Sequence, residues 1–464
     1  MKASLSLYSL LALGGLVAGQ AKPPMSSEAL RKLLTADALM KKAQIFEDQA
    51  YSTPQRNRAV GTPGLAASLK YIKDTLSALD YYDVKTQELT ILGDGKAGVT
   101  VAGSKYDSQI VIGSPKGSAS GPMVSVANLG CNATDFPAAV KGAVALISRG
   151  TCSFGVKSSN AAAAGAVAAI IYNTNPAENF TTWGFGMTGS FVPTAAVTLA
   201  TGKALSAKLQ KSTSLKAQVN VTIPETKTYN IIAQTKGGDP NNVLQLGAHY
   251  DTDVLNPGMN DDVSGTVSIL EVAIQLAKFS TKNAIRFSWW SGSENGMVGS
   301  NQYVKGLSQA ERDKIRLYLN FDMVASVNWF YAIYATNGTT FAGRAPPPGV
   351  AEATKMFQDY FRGVAGLNCT SFDLRNASDH AAFVDARIPV SGLFTGGSEI
   401  KTPEQVAMFG GTAGVPSDPQ NHKAGDNMTN INAEPFLQVT KAIAHAVSLY
   451  GQSFDSLPPR SSGQ

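Results

Sequence analysis

Hydrophobic and polar positions change their period twice along the chain. From residue 27 to 80, apolar residues recur at helical spacing in "SEALRKLLTADALMKKAQIFEDQAY" and "GLAASLKYIKDTLSALDYY", with the turn-forming "STPQRNRAVGTPG" between them, which predicts helices. From about Thr86 to Thr222 the texture becomes short β-rich runs, "KTQELTIL", "GAVALISRG", "AAIIYNT" and "AQVNVTI", punctuated by Gly and Pro. From "YNIIAQTKGG" onward strands alternate with helices, through "NVLQLGAHYD", "SGTVSILEVAIQLAKF", "AIRFSWWSG", "AERDKIRLYLNFDM" and "IPVSGLFTGG" to "AEPFLQVTKAIAHAVSLYG". Alternation of this kind predicts an α/β fold, a mainly parallel mixed sheet flanked by helices. Residues 20–85 and 223–455 would form that domain, 86–222 a β-rich insertion and 456–464 a tail.

At 464 residues, two domains are the default. The opening "MKASLSLYSLLALGGLVAGQ" has an early Lys, an apolar run and then small residues, the layout of a signal peptide over 1–19. The longest later apolar run, "AAAAGAVAAIIY", falls short of the roughly 20 residues that span a bilayer. The expectation is a secreted protein, extracellular or vacuolar, without a membrane partner. Sequons at Asn132, Asn179, Asn220, Asn337, Asn368, Asn376 and Asn427 agree with a secretory route. A net charge of +5 without a basic stripe points away from nucleic acid, and a monomer is expected. Of three cysteines, Cys131 and Cys152 lie close enough in sequence to close a small loop in an oxidising compartment, which leaves Cys369 as a buried thiol.

In an open α/β sheet, chemistry gathers beyond the carboxyl ends of the strands. There "LQLGAHYD" ends in His249 and Asp251, "GMNDDVSG" carries Asp261 ahead of a helix, "FSWWSGSE" ends in Glu294, "LYLNFD" ends in Asp322 and "DPQNHKAGD" supplies His422. The two histidines with three of these carboxylates are donors of the kind that a pair of zinc ions uses, with one carboxylate able to bridge. The chain has only four histidines, so their placement is informative. His445 falls in mid-helix and reads as structural, and Trp289 and Trp290 read as core.

The chain resembles the secreted di-zinc aminopeptidases of the aminopeptidase Y type, with a protease-associated domain inserted before the catalytic core, and fungal leucine aminopeptidases in particular. The resemblance covers about residues 27–452. It is carried by "GAHYDT", "GMNDDVSG", "YLNFDM" and "LFTGGSEIKTPEQVAMFGG", and in the insert by "NLGCNATDFPA" and "RGTCSFGVKSSNAAAAGA". It implies two zinc ions held by His249, Glu294, Asp322 and His422, with Asp261 as the bridge. Asp251 would hydrogen-bond the His249 imidazole and fix its tautomer. Ser378, Asp379 and His380 would shape a substrate pocket for peptides with a free N-terminus, with apolar first residues preferred.

Two positions depart from the family pattern. Family members carry a Glu-Glu pair where this chain has Ser293-Glu294, and the first acid is the general base that takes the proton of the attacking water and returns it to the leaving amine. Tyr commonly precedes the final histidine ligand and can hydrogen-bond the oxyanion, whereas this chain has Asn421. The two readings that follow are an aminopeptidase slowed by Ser293 and a catalytically inactive, metal-binding relative that binds peptides or serves a structural role.

Overall fold

The structure, a computed structural model, describes residues 22–175, 183–186, 188–212, 215–335, 345–374 and 378–459. The signal-peptide reading and the sequons at Asn179, Asn337 and Asn376 lie outside the described residues. After three helices, Ser27–Lys32, Ala36–Tyr51 and Pro63–Ser77, the chain forms β1 (Tyr82–Leu92). It then builds β2 (Lys96–Val101), β3 (Ser104–Tyr106), β4 (Ser108–Ile110), β5 (Gly117–Ser125), β6 (Val144–Ser148), β7 (Ala168–Tyr172), β8 (Thr194–Val197) and β9 (Lys216–Thr222). It returns with β10 (Glu225–Thr235), β11 (Asp239–His249), β12 (Asn283–Trp290), β13 (Ile315–Phe321), β14 (Ala332–Ala335), β15 (Thr370–Asp373) and β16 (Val390–Phe394). Two compact units result: one holds the residues up to Leu89 and those from Lys227 onward, the other Thr90–Thr226.

The larger unit is built on a sheet of order β1-β10-β12-β11-β13-β16-β14-β15. The contiguous run β12-β11-β13-β16 pairs in parallel, while β10 meets β12 and β14 meets β16 antiparallel, so the sheet is mixed and mainly parallel. Strand β11 is buried at every residue from Val243 to His249, as a strand covered on both faces must be. Consecutive side chains of a strand point to opposite faces. Trp289 accordingly enters the core beneath Ala36–Tyr51, Ser264–Leu276 and Ala433–Tyr450, while Trp290 enters the core on the other face with Tyr318 and Phe383. Both indoles are fully buried, and each nitrogen is satisfied, Trp289 donating to the Thr266 carbonyl and Trp290 to the Tyr318 hydroxyl.

The helices start where the sequence supplies caps. Thr35, Thr62 and Asn432 each accept a first-turn amide through the side chain, and Pro63 follows Thr62 at the first helical position. In the smaller unit β5, β6, β7 and β8 run parallel beside the antiparallel β2-β9-β5 ladder. Helix Phe154–Ala163 contributes to the core on one side of this sheet and Leu205 of helix Leu199–Lys211 to the core on the other. Cys131 and Cys152 are bonded there with Cα atoms 5.8 Å apart, and Cys369 is a buried free thiol in the larger unit.

Two boundaries move. Strand β1, read from its β-rich texture as the start of the insertion, is the edge strand of the larger sheet, and the division falls after Leu89. Local composition reports that a segment is a strand, not which sheet it joins. The described part of the tail, residues 456–459, also joins the fold: Leu457 is buried in the core and the Pro458 carbonyl accepts from Arg316 Nη2 at 3.0 Å.

His445 sits inside the last helix against the Tyr360 ring. Arg31 donates to Ser27 Oγ at 3.0 Å, and Ser27 Oγ is hydrogen-bonded to His445 Nδ1 at 2.8 Å. Burial, and then the nearby Arg31 charge, pull the imidazole pKa down to about 4, against roughly 6.5 in an unfolded chain. Between those values the unfolded chain binds the extra proton, so stability rises with pH and is lost as pH falls through that window. Denaturant midpoints measured from pH 7 to 4 should fall less steeply for His445→Asn than for the unaltered protein; equal slopes would contradict this placement.

Candidate metal centre and active site

At the carboxyl edge of the larger sheet, β11 ends at His249, β12 is followed by Glu294, and β13 by Asp322. The wide turn Met259–Val263, which precedes helix Ser264–Leu276, carries Asp261, and the Asp261–Asp262 peptide is cis. A loop between residues 418 and 426 brings His422. Asp261 stands between the imidazoles: Oδ1 is 3.1 Å from His249 Nε2, and Oδ2 is 3.1 Å from His422 Nε2. Asp322 Oδ1 lies 3.7 Å from His249 Nε2, and Glu294 Oε2 lies 3.5 Å from His422 Nε2. The donors therefore form two groups: His249, Asp261 and Asp322 in one, Glu294 and His422 together with Asp253 in the other, with donor atoms in each group within 4.8 Å of one another.

This donor set fits divalent cations. Glu294 Oε1 and Asp322 Oδ1 are shielded from solvent and have no hydrogen-bond partner among the described residues. Burial, and then the charge of Asp261, push the Glu294 carboxyl up to about 8. Burial works against a charged His249, but the carboxylates of Asp251, Asp261 and Asp322 outweigh it and hold the imidazole well above its ordinary range. The centre thus concentrates more negative charge than its own imidazoles balance, and imidazole plus carboxylate are donors that zinc accepts. Three residues lining the adjoining cavity, Met297, Met323 and His422, adopt left-handed backbone angles with φ of 57°, 56° and 55°, a strain that clusters at functional sites.

Much of the support comes from residues that the sequence did not flag. Asp426 accepts the Asn260 amide at 2.9 Å and the Asp261 amide at 3.1 Å, and Asp418 accepts from the Asn260 side chain at 2.7 Å. Asp262 accepts from the amides of His249, Gly265 and Met323. A Cβ on Gly265 would lie 2.1 Å from the Phe321 carbonyl oxygen, so only glycine lets the helix start this close to β13. Arg58 is fully buried and donates to the carbonyls of Tyr250, Pro257 and Gly258, framing the approach to the turn. Burial lowers its pKa to about 10, while Asp251, Asp426, Asp262 and Asp261 work to hold it charged. Asp262 stood next to Asp261 as a visible Asp-Asp doublet; Arg58 lay in a segment legible only as a turn.

The residues expected around the ligands divide. Asp251 does not reach the imidazole with its carboxylate, which is 3.7 Å from His249 Nδ1. Its carbonyl lies 3.1 Å from that nitrogen, and the carboxylate accepts the amides of Ser293 at 3.2 Å and Glu294 at 3.3 Å. A buried carboxylate facing two amide donors is satisfied by them, which leaves the ring to the backbone. Ser378 Oγ donates to Asp322 Oδ2 at 2.6 Å and accepts from Asn320 at 2.8 Å. Asp379 is buried and accepts from Ser300 Oγ, and burial raises its pKa to about 6; it is not among the residues lining the cavity. Asn421 donates to Asp261 Oδ2 at 2.9 Å and accepts from Ser398, so its amide is engaged with the central carboxylate. Ser293, Ser378, His380 and Asn421 line a cavity of about 300 Å³ above the ligands, with Met297, Met323, Tyr334, Phe372 and Phe394 as its apolar wall.

Residues 230–447 match the model of Peptidase family M28, and 119–205 match the PA domain. The chain is 43% identical over 444 residues to a probable leucine aminopeptidase 2 of Aspergillus fumigatus, covering 95% of this chain and 88% of that one. It is 39% identical over 446 residues to leucine aminopeptidase 2 of Trichophyton rubrum, covering 95% and 89%. The chain belongs to peptidase family M28. Its fold is also that of an aminopeptidase from Aneurinibacillus sp. strain AM-1, with a TM-score of 0.54 at 24% identity over 94% of this chain and 97% of that one. The zinc aminopeptidase BSAP from Bacillus subtilis superimposes with a TM-score of 0.51 at 24% identity, over 91% and 95%.

Breaking one side of a buried charge arrangement is strongly destabilising. Arg58→Leu removes a buried cation that four acids act to keep charged and leaves the Tyr250, Pro257 and Gly258 carbonyls without their donor, and should lower unfolding free energy by about 3–5 kcal/mol in urea titrations; a loss under about 1 kcal/mol would show that the acids and carbonyls are balanced without it.

Proposed function

We propose that the protein is a zinc-dependent aminopeptidase that removes N-terminal residues from peptides, apolar ones in preference, and that Ser293 slows its turnover. The observation that carries this reading is the pair of donor groups on either side of Asp261, whose two oxygens lie 3.1 Å from His249 and from His422, at the floor of a cavity sized for a single residue. The apolar wall of Met297, Met323, Tyr334, Phe372 and Phe394 supports the preference for an apolar first side chain. His249, Asp261 and Asp322 would hold one ion, and Glu294 and His422 with Asp261 the other. When bound there, zinc would polarise the scissile carbonyl and acidify the attacking water.

The chain's own residues then set the rate. A carboxylate at position 293 would hold the proton of the attacking water and deliver it to the leaving amine, and a serine hydroxyl does not do this at neutral pH. General acid–base catalysis is worth about 10² to 10⁴ in rate, or roughly 3 to 5 kcal/mol of barrier. Asn421 can present an amide hydrogen towards an oxyanion, but with Asp261 already claiming that nitrogen it is a weaker donor than a free hydroxyl would be. A leader over residues 1–19 and the sequons support a secreted or vacuolar protein, acting as a monomer on peptides with a free N-terminus.

Two measurements test this. Metal analysis of the purified protein should return close to two zinc ions per chain, and a value near zero would remove the centre. Fully loaded protein should release leucine slowly from a leucyl anilide, and Ser293→Glu should raise kcat by about 10² or more with a smaller change in KM. Brisk turnover that Ser293→Glu fails to improve would mean a base elsewhere. A fully loaded protein with no turnover in either form would favour the other reading, a peptide-binding relative.

A further inference from the structure

We infer that Asp253 is an additional carboxylate ligand of the cation position built by Glu294 and His422. That half of the centre then carries three carboxylates, Asp253, Glu294 and the shared Asp261, against a single imidazole. The inference rests on the two-ion reading above and goes beyond the five residues expected to bind metal.

Asp253 lies four residues after His249, in the loop that leaves β11. A carboxylate oxygen of Asp253 and donor atoms of Glu294 and His422 all fall within 4.8 Å of one another, the spacing that donors of one ion share. The loop is fixed on its approach: Thr252 Oγ1 accepts the Arg58 amide at 2.9 Å, and the Thr252 amide donates to the Arg58 carbonyl at 3.3 Å. Asp253 Oδ1 in turn accepts the Leu255 amide at 2.8 Å, which orients the carboxyl group, and no donor among the described residues reaches Oδ2. The partly buried Glu294 beside it presents Oε1, shielded from solvent and without a hydrogen-bond partner among the described residues. His422 completes the group from a left-handed backbone conformation, so the three donors arrive from three separately anchored loops.

The two halves then differ in charge. His249, Asp261 and Asp322 supply one imidazole and two carboxylates, whereas the other half gains a third carboxylate. Ligand charge count tunes the affinity of a carboxylate site for divalent cations, so the Asp253 half should hold its ion more tightly than it would with Glu294, His422 and Asp261 alone. The plainer role for Asp253 is its turn, in which a side-chain oxygen accepts the amide two residues on. Asparagine keeps that acceptor and removes the anionic ligand, which separates the two roles.

The full chain, stripped with a chelator, is titrated with zinc against a chromophoric chelator of known affinity, for the unaltered protein, Asp253→Asn and Asp253→Ser. The unaltered protein should show two binding steps. Both variants should keep one step unchanged and weaken the other by about tenfold or more, in the range found when a group supporting a metal site is removed, with the far-ultraviolet spectrum of the unaltered chain. Two unchanged steps in Asp253→Asn would overturn the inference and leave the two-ion centre standing. Absence of zinc uptake by the unaltered protein would overturn both.

Discussion

The structure turns on one buried carboxylate, Asp261, held with an imidazole 3.1 Å from each of its oxygens. Putting an ionised carboxylate inside a protein costs several kcal/mol unless it is paired and hydrogen-bonded. The fold supplies those partners from distant parts of the chain: His249 from a strand end, His422 and Asn421 from a loop about 160 residues later, and an amide anchor through Asp426. That network in turn sets Gly265 at the start of its helix, Arg58 in the interior and Asp262 on three amides. Negative charge is thereby gathered at one sheet edge beyond what internal cations offset. An arrangement of this kind is stable chiefly when further cations arrive, and the two donor groups are placed to receive them.

The residues gathered at the candidate centre were legible because most obey a simple topology. His249, Glu294 and Asp322 follow buried strands and Asp261 precedes a helix, and with four histidines in the chain the two at the site stood out. The mainly parallel sheet was legible from strand–helix alternation for the same reason, since strands covered on both faces read as continuous apolar runs. The supports were not legible. Asp418 and Asp426 act on a turn more than 150 residues away, and no local pattern reports such a pairing. Asp251 shows the limit of spacing arguments: two residues after a histidine suggests a carboxylate on the ring, yet the amides of Ser293 and Glu294 claim that carboxylate, and its carbonyl meets the imidazole instead. Strand β1 was misassigned because strand character and sheet membership are different quantities.

The geometry also explains how the side chain at residue 293 can vary without loss of the site. Residue 293 is held by its backbone, with its amide on Asp251 and its carbonyl accepting from Gly296 and Met297, so its side chain is not needed to build the turn that presents Glu294. The donor groups and the side chain at 293 are thus structurally separable. A chain can keep all of the first while losing the second, and binding and turnover become independent properties of the same centre.

The central claim is that two cations lie on either side of Asp261. Anomalous diffraction at the zinc absorption edge, from crystals of the purified protein grown without added metal, addresses this directly. Two peaks are predicted, one against His249 and Asp322, the other against Glu294 and His422, with the Asp261 carboxylate spanning them. A single peak, or none with the side chains otherwise placed as here, would contradict it.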